Sequence, residues 1–146
     1  AGVPDTAPRT GGEGHASVPD SLENIRILVV DDIETNLSVM DKLLKLLGFD
    51  VVGVSSGAAA IAMFQEWRPN LILMDQAMPE MDGIETTRRI RALEGDVKTP
   101  VIFVTGGVLD EEFQEILASD GTDIIRKPFR QAELLEKIRK HLGLRN

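Results

Sequence analysis

Apolar residues gather in short runs: Ile25 to Val30, Val51 to Val54, Leu71 to Met74, Val101 to Val104 and Ile124-Ile125. Between these runs lie longer stretches whose apolar positions recur at spacings of three and four. Leu37, Met40, Leu44 and Leu47 do so up to Gly48, and Leu135, Ile138 and Leu142 repeat the pattern near the C-terminus. The runs beginning at 25, 71 and 101 are near-continuous rather than alternating. They predict strands buried on both faces, as parallel strands covered by helices are. Five strands alternating with five helices predict right-handed crossovers and a doubly wound α/β sheet. Ligands of such a sheet bind beyond the carboxyl ends of its strands, so chemistry is to be sought just after each run.

The residues there are all polar. Asp31-Asp32 follow the first run, Asp75 the third, Thr105 the fourth and Lys127-Pro128 the fifth. A single Asp after a strand is an ordinary cap for the next helix. Three carboxylates on one sheet edge are a different matter: they raise one another's pKa and cost stability unless a cation or a lysine stands among them. An all-oxygen set without His or Cys suits a hard divalent ion, Mg²⁺ or Mn²⁺, which keeps waters and takes phosphate oxygens. Lys127 supplies a further positive charge. In that setting Asp75 is a candidate carboxylate nucleophile toward phosphorus, and Thr105 a candidate hydrogen-bond donor to the phosphoryl group.

Composition narrows the partners. With 16 Lys+Arg against 24 Asp+Glu the net charge is −8, which disfavours nucleic acid as a direct partner. The absence of cysteine rules out disulfides and thiolate sites and fits a reducing compartment. No apolar run approaches the ~20 residues of a membrane span, and no signal-peptide layout is present, so a cytoplasmic module without membrane contact is expected. Residues 1–24 hold Pro4, Pro8, Gly11, Gly12, Gly14 and Pro19 among small polar residues, which predicts a linker ahead of one domain over 25–146. A linker at a chain start without methionine predicts a piece of a longer protein. Gly11-Gly12-Glu13-Gly14 follows no strand and is linker glycine rather than a phosphate loop. His15 and His141 have no metal-site companions, and His141 is expected to be a solvated helix-end residue. Trp67, before Arg68-Pro69, is expected to pack where the second helix ends.

Taken together, Ile27-Leu28-Val29-Val30-Asp31-Asp32, Leu73-Met74-Asp75-Gln76-Ala77-Met78-Pro79-Glu80-Met81-Asp82-Gly83, Val104-Thr105-Gly106 and Lys127-Pro128-Phe129 closely resemble the response-regulator receiver family. The match spans about Ile25 to Leu142 and preserves the intervals between Asp75, Thr105 and Lys127. The resemblance implies a flavodoxin-like (βα)5 fold with strand order 2-1-3-4-5. It implies that Asp75 is the phospho-acceptor, with Thr105 and Lys127 as the phosphoryl-binding pair. It implies Mg²⁺ ligation by Asp32, Asp75 and the backbone carbonyl of Ala77, with Asp31 acting through water. It also implies a cis Lys127-Pro128 peptide, which an X-Pro bond permits at ~0.5–1 kcal/mol, and a turn role for Gly83. The implied partners are a histidine kinase or histidine phosphotransfer domain and a downstream protein reading the fourth helix, fifth strand and fifth helix. No external substrate is turned over. Asn36 resembles the corresponding residue of receivers in hybrid histidine kinases, and equally reads as a helix cap.

Two departures stand out. Ile124 occupies the position where many members carry a switching aromatic, so it reads as a strand residue packing under the fourth or fifth helix. The Gly106-Gly107 loop then becomes the expected switch element. A haloacid-dehalogenase-type phosphatase is disfavoured because Ala77 stands where its second Asp would be. A degenerate receiver serving as a docking module is disfavoured because Asp31, Asp32, Asp75, Thr105 and Lys127 are all present. The second departure is that Ala77 and Gly107 replace polar side chains that often influence attack by water. The acyl phosphate is therefore expected to decay slowly compared with receivers polar at both positions. Decay of the phosphoprotein within seconds would contradict this.

Overall fold

The computed structural model describes residues 25–95, 98–106, 111, 114 and 123–143. Its strands are β1 (Arg26–Val30), β2 (Asp50–Val54), β3 (Leu71–Asp75), β4 (Val101–Thr105) and β5 (Asp123–Arg126). All pairings are parallel, and the order is β2-β1-β3-β4-β5. The helices bounded within the described residues are α1 (Glu34–Leu46), α2 (Gly57–Trp67), α3 (Gly83–Leu93) and α4 (Gln131–Leu142). The doubly wound sheet and its strand order are as expected. Residues 1–24, expected to be a linker, Gly107 and most of the segment between β4 and β5 lie outside the described residues. Glu111 and Gln114 in that segment are helical.

The near-continuous apolar runs have the predicted consequence. Every residue of β3 and β4 is buried, as is β1 from Ile27 onward, while the edge strands β2 and β5 are only partly covered. Alternate side chains feed two cores. Ile27, Val29, Leu71, Leu73, Ile102, Val104 and Ile125 pack with Leu44 of α1 and with Leu134 and Ile138 of α4. Leu28, Val30, Ile72, Met74, Val101 and Phe103 pack with Ala60 and Phe64 of α2 and with Ile84 and Ile90 of α3. Full burial of each such aliphatic side chain contributes roughly 1.5–3 kcal/mol, so the central strands are fixed firmly and their ends are held in register. Ile124 belongs to the second core, beside Phe103 across the β4–β5 pairing. Of the two helices it was expected to pack under, the last is not its neighbour, because period-two alternation sends Ile125, not Ile124, toward α4, and the other lies mostly outside the described residues.

Helix ends follow their local chemistry. Ser56 Oγ accepts the Ala59 amide at the start of α2, and Asp82 Oδ1 accepts the Glu85 amide at the start of α3. The N-cap of α1 is Ile33, without a side-chain bond, so Asn36 is not its cap. Past α1, Gly48 adopts φ 103°, a conformation that glycine tolerates. At the end of α2, Trp67 packs against the second core and Arg26 lies 5.9 Å from its ring centroid, in keeping with the expected packing role. Gly83 is needed for space rather than for backbone freedom, since an added Cβ would lie 2.5 Å from the Asp75 carbonyl oxygen. Gly83→Ala is therefore expected to lower stability by about 1–3 kcal/mol in urea unfolding. Gly95→Ala, which meets nothing within 4 Å, should stay within ~0.5 kcal/mol of the parent.

Candidate phosphoryl and metal site

Parallel pairing puts the carboxyl ends of β1, β3, β4 and β5 on one edge, which brings together residues far apart in sequence. The register sets Val30 beside Met74 and Asp75 beside Val104, so the residues that follow these strands are neighbours. Ligand oxygens of Asp31, Asp32 and Asp75 all lie within 4.8 Å of one another. Asp31 and Asp75 are buried and Asp32 is exposed. Lys127 Nζ lies 3.9 Å from Asp31 Oδ2, and the Lys127-Pro128 peptide is cis. Thr105 is buried at the end of β4, and its carbonyl accepts the Lys127 amide at 2.9 Å. The expected side chains thus share one sheet edge: Asp75 and Thr105 are the last residues of β3 and β4, and Asp31, Asp32 and Lys127 lie just past β1 and β5.

Neither buried aspartate caps the helix that follows it, since Ile33 is the N-cap of α1 and Asp82 that of α3; both close a turn instead. Asp31 Oδ1 accepts the Ile33 amide at 2.9 Å, and Asp75 Oδ1 accepts the Ala77 amide at 3.3 Å. Each buried aspartate commits one oxygen to an amide two residues on, which fixes its rotamer in an Asx-type turn. Asp31 still reaches Lys127 through its other oxygen.

Electrostatics single out Asp75. Its pKa is pushed up from 3.8 to about 6, first by desolvation and then by the Asp31 carboxylate, with a smaller push from Asp32. Lys127 and the Ala77 amide pull the other way without cancelling the rise. Mutual repulsion of the carboxylates was the expected cause, but burial is the larger one. The donor set is oxygen throughout, gathered on one edge, and destabilised when ionised without a counter-charge. That combination fits a hard divalent cation. Beside it, a cavity of about 330 Å³ is lined in part by Asn36, Val39, Met40, Asp75, Lys127 and Phe129.

A model of the response regulator receiver domain matches residues 27–139. The chain belongs to this family. It is similar to the sensor protein GacS of Pseudomonas syringae pv. syringae, at 35% identity over 129 residues, covering 86% of this chain and 14% of GacS. Thus the chain spans only a small part of that longer relative. Protein PilG of Pseudomonas aeruginosa is 33% identical over 122 residues, covering 82% of this chain and 89% of PilG. Among solved structures, the receiver domain of sensor histidine kinase PA1611 from Pseudomonas aeruginosa PAO1 superposes with a TM-score of 0.72 at 34% identity. That comparison covers 82% of this chain and 98% of the other, whose structure has a magnesium ion coordinated in the active-site cleft. This receiver domain therefore joins a family of two-component signalling modules that includes parts of histidine kinases.

Sequence reasoning missed a second polar cluster at the opposite end of the sheet. His141 is not a solvated helix-end residue: its Nε2 lies 2.8 Å from Asp123 Oδ2, and its side chain is 18% exposed. Lys137 Nζ lies 3.2 Å from Asp123 Oδ1. Burial works against the Asp123 carboxylate, but hydrogen bonds from His141, the Ile124 amide and Lys137 outweigh it and hold the pKa below its usual value. The available signal was the i,i+4 spacing of Lys137 and His141 on one face of the last helix. Within the described residues no helix is long and apolar enough to cross a membrane.

Because the folded-state pKa of Asp75 is raised, native protein binds the extra proton between about pH 4 and 6, and stability falls as pH rises through that window. Asp75→Asn removes the cost of ionisation. The variant is expected to be more stable than the parent by on the order of 2 kcal/mol at pH 8, with the gap closing toward pH 4. Urea unfolding across that range checks it, and equal stability of the two proteins at pH 8 would overturn the assignment.

Proposed function

We propose that Asp75 of this receiver domain accepts a phosphoryl group from phosphohistidine. The reading is carried by one observation: the carboxylates of Asp31, Asp32 and Asp75 converge within 4.8 Å beside the Lys127 ammonium. Asp32, Asp75 and the Ala77 carbonyl would hold Mg²⁺ or Mn²⁺, with Asp31 linked through water. When bound, the cation supplies Lewis-acid stabilisation of charge on the phosphoryl oxygens. An Asp75 oxygen forms the new bond to phosphorus as the phosphorus–nitrogen bond of phosphohistidine breaks, and the imidazole, already protonated on its other ring nitrogen, keeps the bonding pair and departs neutral. Lys127 neutralises part of the charge gained, and the Thr105 hydroxyl donates to a phosphoryl oxygen.

The donor would be a histidine kinase or a histidine phosphotransfer domain, in keeping with the likeness to GacS. Residues 1–24 then act as a linker and 25–146 as the receiver, within a cytoplasmic part of a hybrid sensor histidine kinase. The domain assists its own phosphorylation and slow hydrolysis but turns over no external substrate. Phosphorylation adds about −1.5 to −2 charges at one sheet edge. Movement of Thr105 and Lys127 toward that charge transmits the event to a protein partner that reads β5, α4 and the helix expected between β4 and β5. A coupling of ~1–3 kcal/mol corresponds to roughly a 5–150-fold change in partner affinity.

Incubation with Mg²⁺ and a small-molecule phosphodonor is expected to add about 80 Da, one phosphoryl group. The gain should vanish in Asp75→Ala and when Mg²⁺ is removed with a chelator. Mass spectrometry of intact protein reads both results, and an unmodified parent protein would favour a docking module without phosphoryl chemistry.

A further inference from the structure

We propose that Gln76 is a positioning residue for cation binding: by accepting the Ile84 amide it fastens residues 75–77 to the start of α3. This rests on the reading of Asp31, Asp32 and Asp75 as a cation site. Gln76 lies between the phospho-acceptor and Ala77, whose carbonyl is the candidate main-chain ligand. Its Oε1 accepts the Ile84 amide at 2.9 Å, a bond spanning eight residues. Its main-chain oxygen accepts the amides of Met78 at 3.2 Å and Gly83 at 3.0 Å. Side chain and main chain of one residue thus close the same loop.

Amides in the first turn of a helix have no partners within it. Asp82, the N-cap of α3, satisfies Glu85 at 2.9 Å and leaves Ile84 to Gln76. A cap taken from beside the cap position would serve the helix alone. A cap taken from the residue after Asp75 joins the helix to the site. Little slack is left, because a Cβ on Gly83 would meet the Asp75 carbonyl oxygen at 2.5 Å and Gln76 Cα at 3.0 Å. The Ala77 amide in turn orients Asp75 by donating to its Oδ1 at 3.3 Å. Groups that orient metal ligands from outside the coordination sphere typically change affinity by roughly 10–100-fold.

Gln76→Met keeps the length of the side chain and removes the acceptor, whereas Gln76→Glu keeps acceptor oxygens at the same reach. Mg²⁺ is titrated into the isotope-labelled full chain while the amide resonances of Asp75 and Ala77 are followed. Gln76→Met is expected to bind Mg²⁺ about tenfold more weakly than the parent, and Gln76→Glu at least as tightly as the parent. Phosphorylation of Gln76→Met should be slow at low Mg²⁺ and recover at saturating Mg²⁺. A purely structural cap predicts lowered thermal stability with unchanged Mg²⁺ affinity, and that result overturns the inference. So does weakened binding that Gln76→Glu does not restore. If Asp32→Ala abolishes Mg²⁺ binding while Gln76→Met retains it in full, only the role of Gln76 fails. If the parent chain itself shows no Mg²⁺-dependent shift, the cation-site reading fails and takes this inference with it.

Discussion

Desolvation of the Asp75 carboxylate is the constraint around which the site is organised. The parallel sheet that buries β1, β3 and β4 on both faces also draws the ends of those strands out of water. A carboxylate placed there resists ionising, and the neighbouring Asp31 deepens the resistance. Lys127 relieves only part of it. The polypeptide thus maintains an electrostatic deficit at one edge, of the kind that a bound cation would relieve.

Maintaining that deficit requires a rigid scaffold. The two aliphatic layers fix the strands, and short-range bonds then fix the side chains: Asp31 to the Ile33 amide, Asp75 to the Ala77 amide, and Gln76 to the Ile84 amide. Gly83 lets α3 approach the Asp75 peptide closely enough for the last of these to form. Packing and polar satisfaction therefore point the same way, and the site costs the fold ionisation energy rather than orphaned amides.

Much of this was legible in the sequence because the signals were periodic or terminal. Near-continuous runs such as Leu71 to Met74 identify buried parallel strands, and parallel topology alone sends Asp31, Asp75, Thr105 and Lys127 to one edge. Boundaries were less legible. β2 starts at Asp50 and β5 runs from Asp123 to Arg126, since backbone pairing recruits polar residues on edge strands that apolar pattern does not mark. Tertiary hydrogen bonds were legible at most as a spacing, that of Lys137 and His141 on one helix face, and never as a partner. Nothing in the composition of the last helix says that His141 turns toward Asp123, and nothing about Gln76 says that it reaches an amide on the far side of a loop. The core to which Ile124 belongs depends on strand phase, which a two-residue apolar run leaves undefined.

The cluster of Asp123, Lys137 and His141 gives β5 two unlike ends. Its amino end is moored to the final helix by the contacts of Lys137 and His141 with Asp123, while its carboxyl end carries Lys127 at a solvent-exposed turn. Pairing with β4 holds Asp123 to Arg126 in between, so a pull on the lysine acts first beyond the last paired residue and would reach the base only through that ladder. Displacement should therefore grow along β5 toward the acidic edge, with the foot of the last helix as its fixed support.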